Sequence, residues 1–282
     1  MSLNNGSKRI PGSFKIPIDP EAQWSAKGKG KKKKSWVGYK AQVLETLTDD
    51  STPKEKGEPT DKFLTEITTT EAIASDIDGM GRSLKEQQEH AQEDPSELFV
   101  DTAYITDDTL AQAEQQNREL VGPARRSPNN TKGFDSDRFE VDSDSRKAIC
   151  PAGNVSTQCS LINDQHHGNS YYRFEWGSQC NSCPLRKACT TSKSGRRTLV
   201  VGIHHNLLQQ RRKEMKDEKF KENMKQRNGI EGTISELTRL GMRRTRYRGL
   251  KKTSLANYFL GAACNINRWI RLINWQAETQ VG

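Results

Sequence analysis

Five of the six cysteines lie between positions 150 and 189: Cys150, Cys159, Cys180, Cys183 and Cys189. Two thiolates separated by two residues, as in Cys180-Asn181-Ser182-Cys183, can share one tetrahedral ion, and Cys189 follows six residues later. Zn2+ suits such ligands because it is borderline soft and imposes little geometry of its own. Four thiolates complete a structural site, so one of the five is spare. Cys150, Cys180, Cys183 and Cys189 are the expected set. Cys159 sits in a Ser/Thr/Gln-rich stretch, and His166 and His167 are the substitutes within reach along the chain. With four protein ligands no coordination position stays open, and the expected role is structural. The competing explanations are unrelated reduced thiols, or disulfides in a secreted chain. The second is disfavoured because Met1 is followed by polar residues and not by the apolar core of a signal peptide.

A second group is cationic. Arg243, Arg244, Arg246, Arg248, Lys251 and Lys252 stand within ten residues, with Tyr247 among them. Such a cluster suits the phosphate backbone, and the ring suits stacking on an exposed base. A solvated loop between two helices is the plainer alternative. Two carboxylates also stand out. Asp101 closes the apolar run Leu98-Phe99-Val100, where a strand-ending side chain can meet a ligand. Glu231 lies near the start of a helix. Each has an ordinary explanation too, as a turn former or as a partner of the helix dipole.

Composition sets the frame for these groups. The chain has 282 residues, 32% hydrophobic and 29% charged, which predicts long solvated stretches rather than end-to-end packing. The net charge of +9 hides a pattern: residues 1–40 carry +8, residues 41–145 carry −15 and residues 146–282 carry +16. Two basic ends favour nucleic acid as the partner. No apolar run approaches the ~18 residues that cross a bilayer, so no membrane partner is expected, and the protein is expected to be soluble and intracellular.

The elements that must position these groups follow from periodicity. Residues 1–34, with Pro11, Pro17, Pro20 and a Lys/Gly run from Lys27 to Lys34, predict an unstructured basic segment. Alternation in 36–43 and the β-branched run 63–70 predict two strands. A helix is expected over 73–92, a short strand at 98–101, a helix capped by Thr106, and a strand at 119–123. Residues 124–148 read as loop. A strand at 198–203 precedes a charged helix over 206–228 and a shorter one over 230–240. The last helix, over 254–275, repeats Leu255, Tyr258, Phe259, Ala262, Ile266, Ile270 and Ile273 at helical spacing. Its Trp269 and Trp275 are expected in the core.

Several of these segments together resemble bacterial insertion-sequence DDE transposases. The resemblance rests on Trp36-Val37-Gly38-Tyr39-Lys40, Val100-Asp101-Thr102-Ala103-Tyr104, Cys150-Pro151-Ala152-Gly153 and Cys180-Asn181-Ser182-Cys183-Pro184-Leu185-Arg186. It continues through Arg227, Glu231-Gly232-Thr233-Ile234-Ser235 and Arg243 to Leu250, covering about residues 19 to 275. It implies an RNase H-like α/β fold, a mixed sheet with flanking helices and a Cys-rich zinc-binding insertion before the catalytic helix. It further implies two-metal phosphoryl transfer, with Mg2+ or Mn2+ held by Asp101 and Glu231 and with Arg227 in the catalytic motif. Element ends and target DNA are the implied double-stranded partners, a homo-oligomer is one expectation, and the implied location is a bacterial cytoplasm, associated with the nucleoid.

Two departures accompany the resemblance. The family's first catalytic Asp lies on a strand upstream of the region matching Asp19-Pro20-Glu21-Ala22, and nothing in 1–34 reads as that strand. The family's usual Tyr before the Arg and Lys after the Glu are replaced by Met224 and Thr238. The chain is therefore expected to be a carboxy-terminal part lacking the first strand, inactive alone. The expected divisions are a disordered segment 1–34, a partial core 35–125 with strands two to five, the insertion 126–197, and the rest of the core 198–282. The alternatives are a non-catalytic zinc-stabilised DNA-binding protein and a decayed transposase remnant.

Overall fold

A computed structural model describes residues 18–28, 30, 33–47, 57–127, 133–164 and 169–281. The chain begins with three antiparallel strands, β1 (Gln23–Lys27), β2 (Lys34–Glu45) and β3 (Leu64–Glu71), followed by helix α1 (Asp76–Ala91). Next come β4 (Glu97–Phe99), α2 (Asp107–Gln115) and β5 (Glu119–Val121), with β4 and β5 paired in parallel. The short hairpin β6 (Glu140–Asp142) and β7 (Lys147–Ile149) leads to β8 (Gln158–Asn163), β9 (Ser170–Glu175), a helical turn α3 (Arg186–Cys189) and β10 (Thr198–Gly202). Four helices close the chain: α4 (His205–Glu214), α5 (Glu218–Met224), α6 (Gly229–Arg239) and α7 (Leu250–Val281). The architecture is mixed α/β, with several small sheets.

The packing divides into two units, one formed by residues up to Asp94 together with Gln226 onward, the other by Pro95–Lys225. These boundaries fall elsewhere than divisions at 34, 125 and 197. Composition marks where a chain is solvated; it does not say which distant segments pack together.

In the first unit the sheet runs β1-β2-β3, and its outer strand β1 lies within the segment expected to be unstructured. Gln23 stands opposite Gly38 and Lys27 opposite Lys34. The short sequence Gln-Trp-Ser-Ala-Lys has no apolar period of its own and is ordered by the ladder it forms with β2. Residues 1–17 of that expected segment lie outside the described residues. Strand β3 is buried along nearly its whole length, Glu66, Thr68, Thr69 and Thr70 included. Helices α1 and α7 supply the partners: Gln87 of α1 bonds Thr65, and on α7 Asn257 bonds Thr69 while the Asn265 amide bonds both backbone groups of Leu64. Leu64, Ile67, Leu237 and Cys264 form the apolar core, with Val43 and Met242 packed on it. Helix α7 comes close enough that a Cβ at Gly261 would stand 2.4 Å from Ile67 Cδ1.

The core of the second unit is Phe139, Val141, Phe174, Trp176, Leu199 and Val201. It sits on the sheet β10-β9-β8, whose strands are antiparallel. Neither the β6–β7 hairpin nor the β8–β9 pair was expected from sequence. Their alternation is short and interrupted by charges, and cross-strand pairing supplies the order. The single helix expected over 206–228 is broken instead, because Asp217 caps α5 by accepting from Lys219 N at 2.8 Å.

Candidate functional site

Asp101 lies two residues beyond the end of β4. Val100 N still bonds Val121 O at 2.9 Å, so the β4–β5 pairing carries the chain up to Asp101. The carboxylate is exposed and accepts from Thr102 N at 2.7 Å, capping a 3-10 turn over Thr102–Tyr104. Gly122 permits this approach of β5 to β4: a Cβ there would stand 2.4 Å from Val100 O.

Glu231 sits in the first turn of α6, on its exposed side. The other side of α6 is anchored by a buried ion network. Arg268 of α7 is 2% exposed and donates to Glu236 Oε2 at 2.9 Å, to Thr233 Oγ1 at 2.7 Å and to Lys62 O at 2.8 Å. It also reaches Glu45 Oε2 at 3.4 Å. Burial works against the guanidinium charge, but the Glu236 hydrogen bond, Cys264 and the Glu236 and Glu45 charges hold its pKa above the ordinary value. The network was not legible in the sequence, since its members are separated by up to 223 residues. Arg227 lies on the 3-10 turn Lys225–Asn228 that leads into α6. Glu231 and Arg227 belong to the first unit and Asp101 to the second.

The cationic cluster occupies the turn between α6 and α7. Arg243, Arg244, Arg246, Tyr247, Arg248, Lys251 and Lys252 are there, and apart from the partly covered Met242, Gly249 and Leu250 the stretch is open to solvent. The turn is held from behind by the acids expected to be unstructured. Glu21 accepts from Leu250 N at 2.6 Å and Asp19 from Gly249 N at 3.2 Å, where Gly249 adopts φ +88°. Tyr39 donates to both Asp19 oxygens, at 3.0 and 2.9 Å. Burial alone would raise the Asp19 pKa, yet the hydrogen bonds from Gly249, Tyr39, Glu21 and Ala22 hold it below the ordinary value. Asp19-Pro20-Glu21 is thus a clasp on the head of α7, where carboxylates meet the positive end of the helix dipole.

Cys150, Cys180, Cys183 and Cys189 line one small pocket, beside Trp176 and Arg197. Cys150 precedes a tight turn in which Gly153 N bonds Cys150 O at 2.8 Å, Cys180 ends a 3-10 turn, and Cys189 ends α3. Burial pushes the Cys189 thiol up; Arg197 opposes this, and Cys180, Cys150 and Cys183 add to it. Cys159 packs on the same core from β8 but does not line that pocket. All six cysteines are unbridged. The thiols converge without closing on a point: among the described residues no three His, Cys, Asp or Glu side chains are grouped to hold a metal ion. His166 and His167 lie outside the described residues.

Sequence reasoning passed over two further features of the second unit. An open cleft of about 390 Å3 lies between α2 and α4, lined in part by Leu110, Arg118, Leu207 and Arg211, and contains none of the residues singled out from sequence. His205 is buried with its Nε2 unpaired, and burial, aided by Arg212 against Asp107, lowers its pKa to about 4.

Residues 149–270 match the family model described as Transposase DDE domain. The matched stretch holds the four pocket cysteines, Arg227, Glu231 and the cationic turn, while Asp101 lies outside it. No curated protein and no solved structure matches the chain. Among the described residues no helix is long and apolar enough to cross a membrane.

Proposed function

We propose that this DDE transposase chain takes part in DNA transposition, binding double-stranded DNA and contributing Asp101 and Glu231 to two-metal phosphoryl transfer. The match over 149–270, which spans the Glu231 helix and the cationic turn, is the observation that carries the proposal. The RNase H-like arrangement without its first strand is part of it, supported by the order of the antiparallel strands β2 and β3, helix, strand, helix, strand and a later helix bearing the Glu, with β1 added at the edge of β2.

Two exposed carboxylates are hard oxygen donors of the kind Mg2+ or Mn2+ prefers. When bound, such ions stabilise the attacking and leaving oxygens of an in-line displacement. Arg243, Arg244, Arg246, Arg248, Lys251 and Lys252 neutralise phosphates, Tyr247, 53% exposed, offers a ring to an unstacked base, and Arg227 belongs to the catalytic motif beside Glu231. With Asp19 engaged on α7, the proposal assigns two carboxylates, and the chain alone does not cleave DNA. A structural Zn2+ on Cys150, Cys180, Cys183 and Cys189 is the second part, supported by their shared pocket and by the preference of zinc for thiolates. A bacterial cytoplasm, close to the nucleoid, is the location this function requires.

The test is Mg2+- or Mn2+-dependent nicking of DNA carrying the element's ends, with Asp101→Asn and Glu231→Gln as controls. The chain alone is expected to bind without nicking. Supplying a strand bearing the first Asp, from a full-length relative, is expected to restore nicking that both controls lose. Nicking that survives both changes refutes the assigned carboxylates. Binding that never supports nicking leaves a non-catalytic DNA-binding protein.

A further inference from the structure

The outward face of α7 contradicts what its sequence suggests. Trp269, expected in the core, points to solvent together with the apolar repeat around it: Phe259 is 70% exposed, Trp269 58%, Leu255 57% and Ile266 54%. The buried face is instead Thr253, Asn257, Gly261, Cys264 and Arg268, with Asn257 and Gly261 against β3. The polar side of this helix is thus used for packing, and its apolar side has no partner within the described residues.

That apolar side has the pattern of a helix-pairing seam. Leu255, Phe259, Ala262, Ile266, Trp269 and Ile273 follow one another at steps of 4, 3, 4, 3 and 4 residues. This is the 3.5-residue repeat by which one helix meets another of the same kind. No charge occurs between Lys252 and Arg268. Of the later arginines, Arg268 enters the buried network, and Arg271, 61% exposed, reaches Glu236 Oε1 at 3.6 Å. We propose that this face is the contact between two copies of the chain, paired antiparallel along α7.

Three arguments select that occupant. The first is charge. Two copies of a chain carrying +9 repel at most of their surfaces, and this stretch lets them meet without bringing cations together. A phosphate backbone finds no cation on it, and a helix lying on a bilayer carries its Lys and Arg on a solvated polar face, which here is packed on β3. The second is area. The six residues expose about 600 Å2 on one copy, so a symmetric pair can bury up to about 1,200 Å2, the lower bound for a specific, stable interface.

The third is steric fit, which sets the direction. Antiparallel pairing centred on residue 264 puts Phe259 against Trp269 of the second copy, Ala262 against its Ile266, and Leu255 against its Ile273. Large and small side chains alternate, and every layer is filled. Parallel pairing would set Trp269 on Trp269 and Ala262 on Ala262, one layer overfilled and one void. It would also bring both cationic turns to one end, whereas antiparallel pairing carries them to opposite ends. The proposal does not depend on the transposase function.

Sedimentation equilibrium of the intact chain over a wide concentration range tests it, with mass expected to rise from 31.9 kDa toward twice that value. Phe259→Glu and Trp269→Lys, both at exposed positions, are expected to keep the circular dichroism and to raise the dimer dissociation constant by about 30-fold or more, as for a central aromatic anchor. Mixing the two variants is expected to restore dimers, because position 259 of one copy faces position 269 of the other. A wild-type chain that stays monomeric, or a dimer untouched by both substitutions, overturns the proposal. Failure of the mixture to recover, while each variant alone is monomeric, overturns the antiparallel pairing. A wild-type chain that stays monomeric in buffer but floats with phosphatidylcholine vesicles makes the face a lipid contact instead.

Discussion

Arg268→Met removes a buried cation that Glu45 and Glu236 share inside the first unit. In the wild-type chain its guanidinium donates to two carboxylates, the Thr233 hydroxyl and the Lys62 carbonyl. The Glu45 and Glu236 side chains are only 8% and 13% exposed, so water cannot replace the lost partner. Breaking a buried ion pair from one side costs about 3–5 kcal/mol, and methionine retains much of the packing volume, so about 4 kcal/mol is expected at neutral pH. That is a large share of the ~5–15 kcal/mol that keeps a typical domain folded. Urea unfolding gives the total. Because the chain has two units, hydrogen exchange is needed to place the loss, which is expected in α6 and α7 and not in the β8–β9–β10 sheet. Arg268→Lys, with a single ammonium and no planar fork, is expected to fall between the two. A loss under about 1 kcal/mol, or one spread evenly over both units, would refute the claim that this network holds the Glu231 helix in place.

Replacing Arg243, Arg244, Arg246 and Arg248 by Gln is expected to reduce the slope of log affinity against log salt for duplex DNA by about 3 to 4; an unchanged slope removes the turn from the interface. Cys183→Ser is expected to lower bound zinc and to loosen residues 150–196, with Cys159→Ser close to wild type; equal zinc loss in both would mean a different set of four ligands. His205, with its pKa lowered to about 4, stays neutral in the folded chain while the unfolded chain takes up a proton below about 6.5. Stability should therefore fall as pH drops from about 6.5 to about 4, by up to about 3 kcal/mol, and His205→Gln should flatten that part of the stability curve. A curve of the same steepness in the variant would assign the effect to other groups.

Local features of this protein were legible because they depend on neighbours along the chain. Thr106 caps α2 as its position before two acids implies, and the capping box with Thr109 is complete. The β-branched run at Leu64–Glu71 and the helix after Ser75 needed no distant partner to be recognised. Gly79, a weak helix former inside that helix, is there because Gln42 crowds it: a Cβ would stand 2.3 Å from the Gln42 amide nitrogen. Cys180, Cys183 and Cys189 lie along one short stretch of chain, and Cys150 joins the lining of their pocket from outside it.

The sequence by itself therefore determined where most of the helices and longer strands form, and it marks residues whose chemistry suits phosphate, thiophilic metal or divalent cations. Tertiary structure alone decided how those residues are used. Gln23–Lys27 is a strand because β2 offers it a ladder, and Asp19 and Glu21 are a clasp because the head of α7 lies within their reach. Most clearly, the periodicity of α7 announced an apolar face without saying where that face would point. Strand β3 carries Glu66, Thr68 and Thr69 where a core strand usually carries aliphatic residues, and buried polar groups must find hydrogen-bond partners. Helix α1 serves Thr68 through Glu86, and the amide and hydroxyl side of α7 meets the rest, Asn257 at Thr69, Tyr258 at Glu66 and Asn265 at Leu64, so the helix turns that side inward and leaves Phe259 and Trp269 facing out.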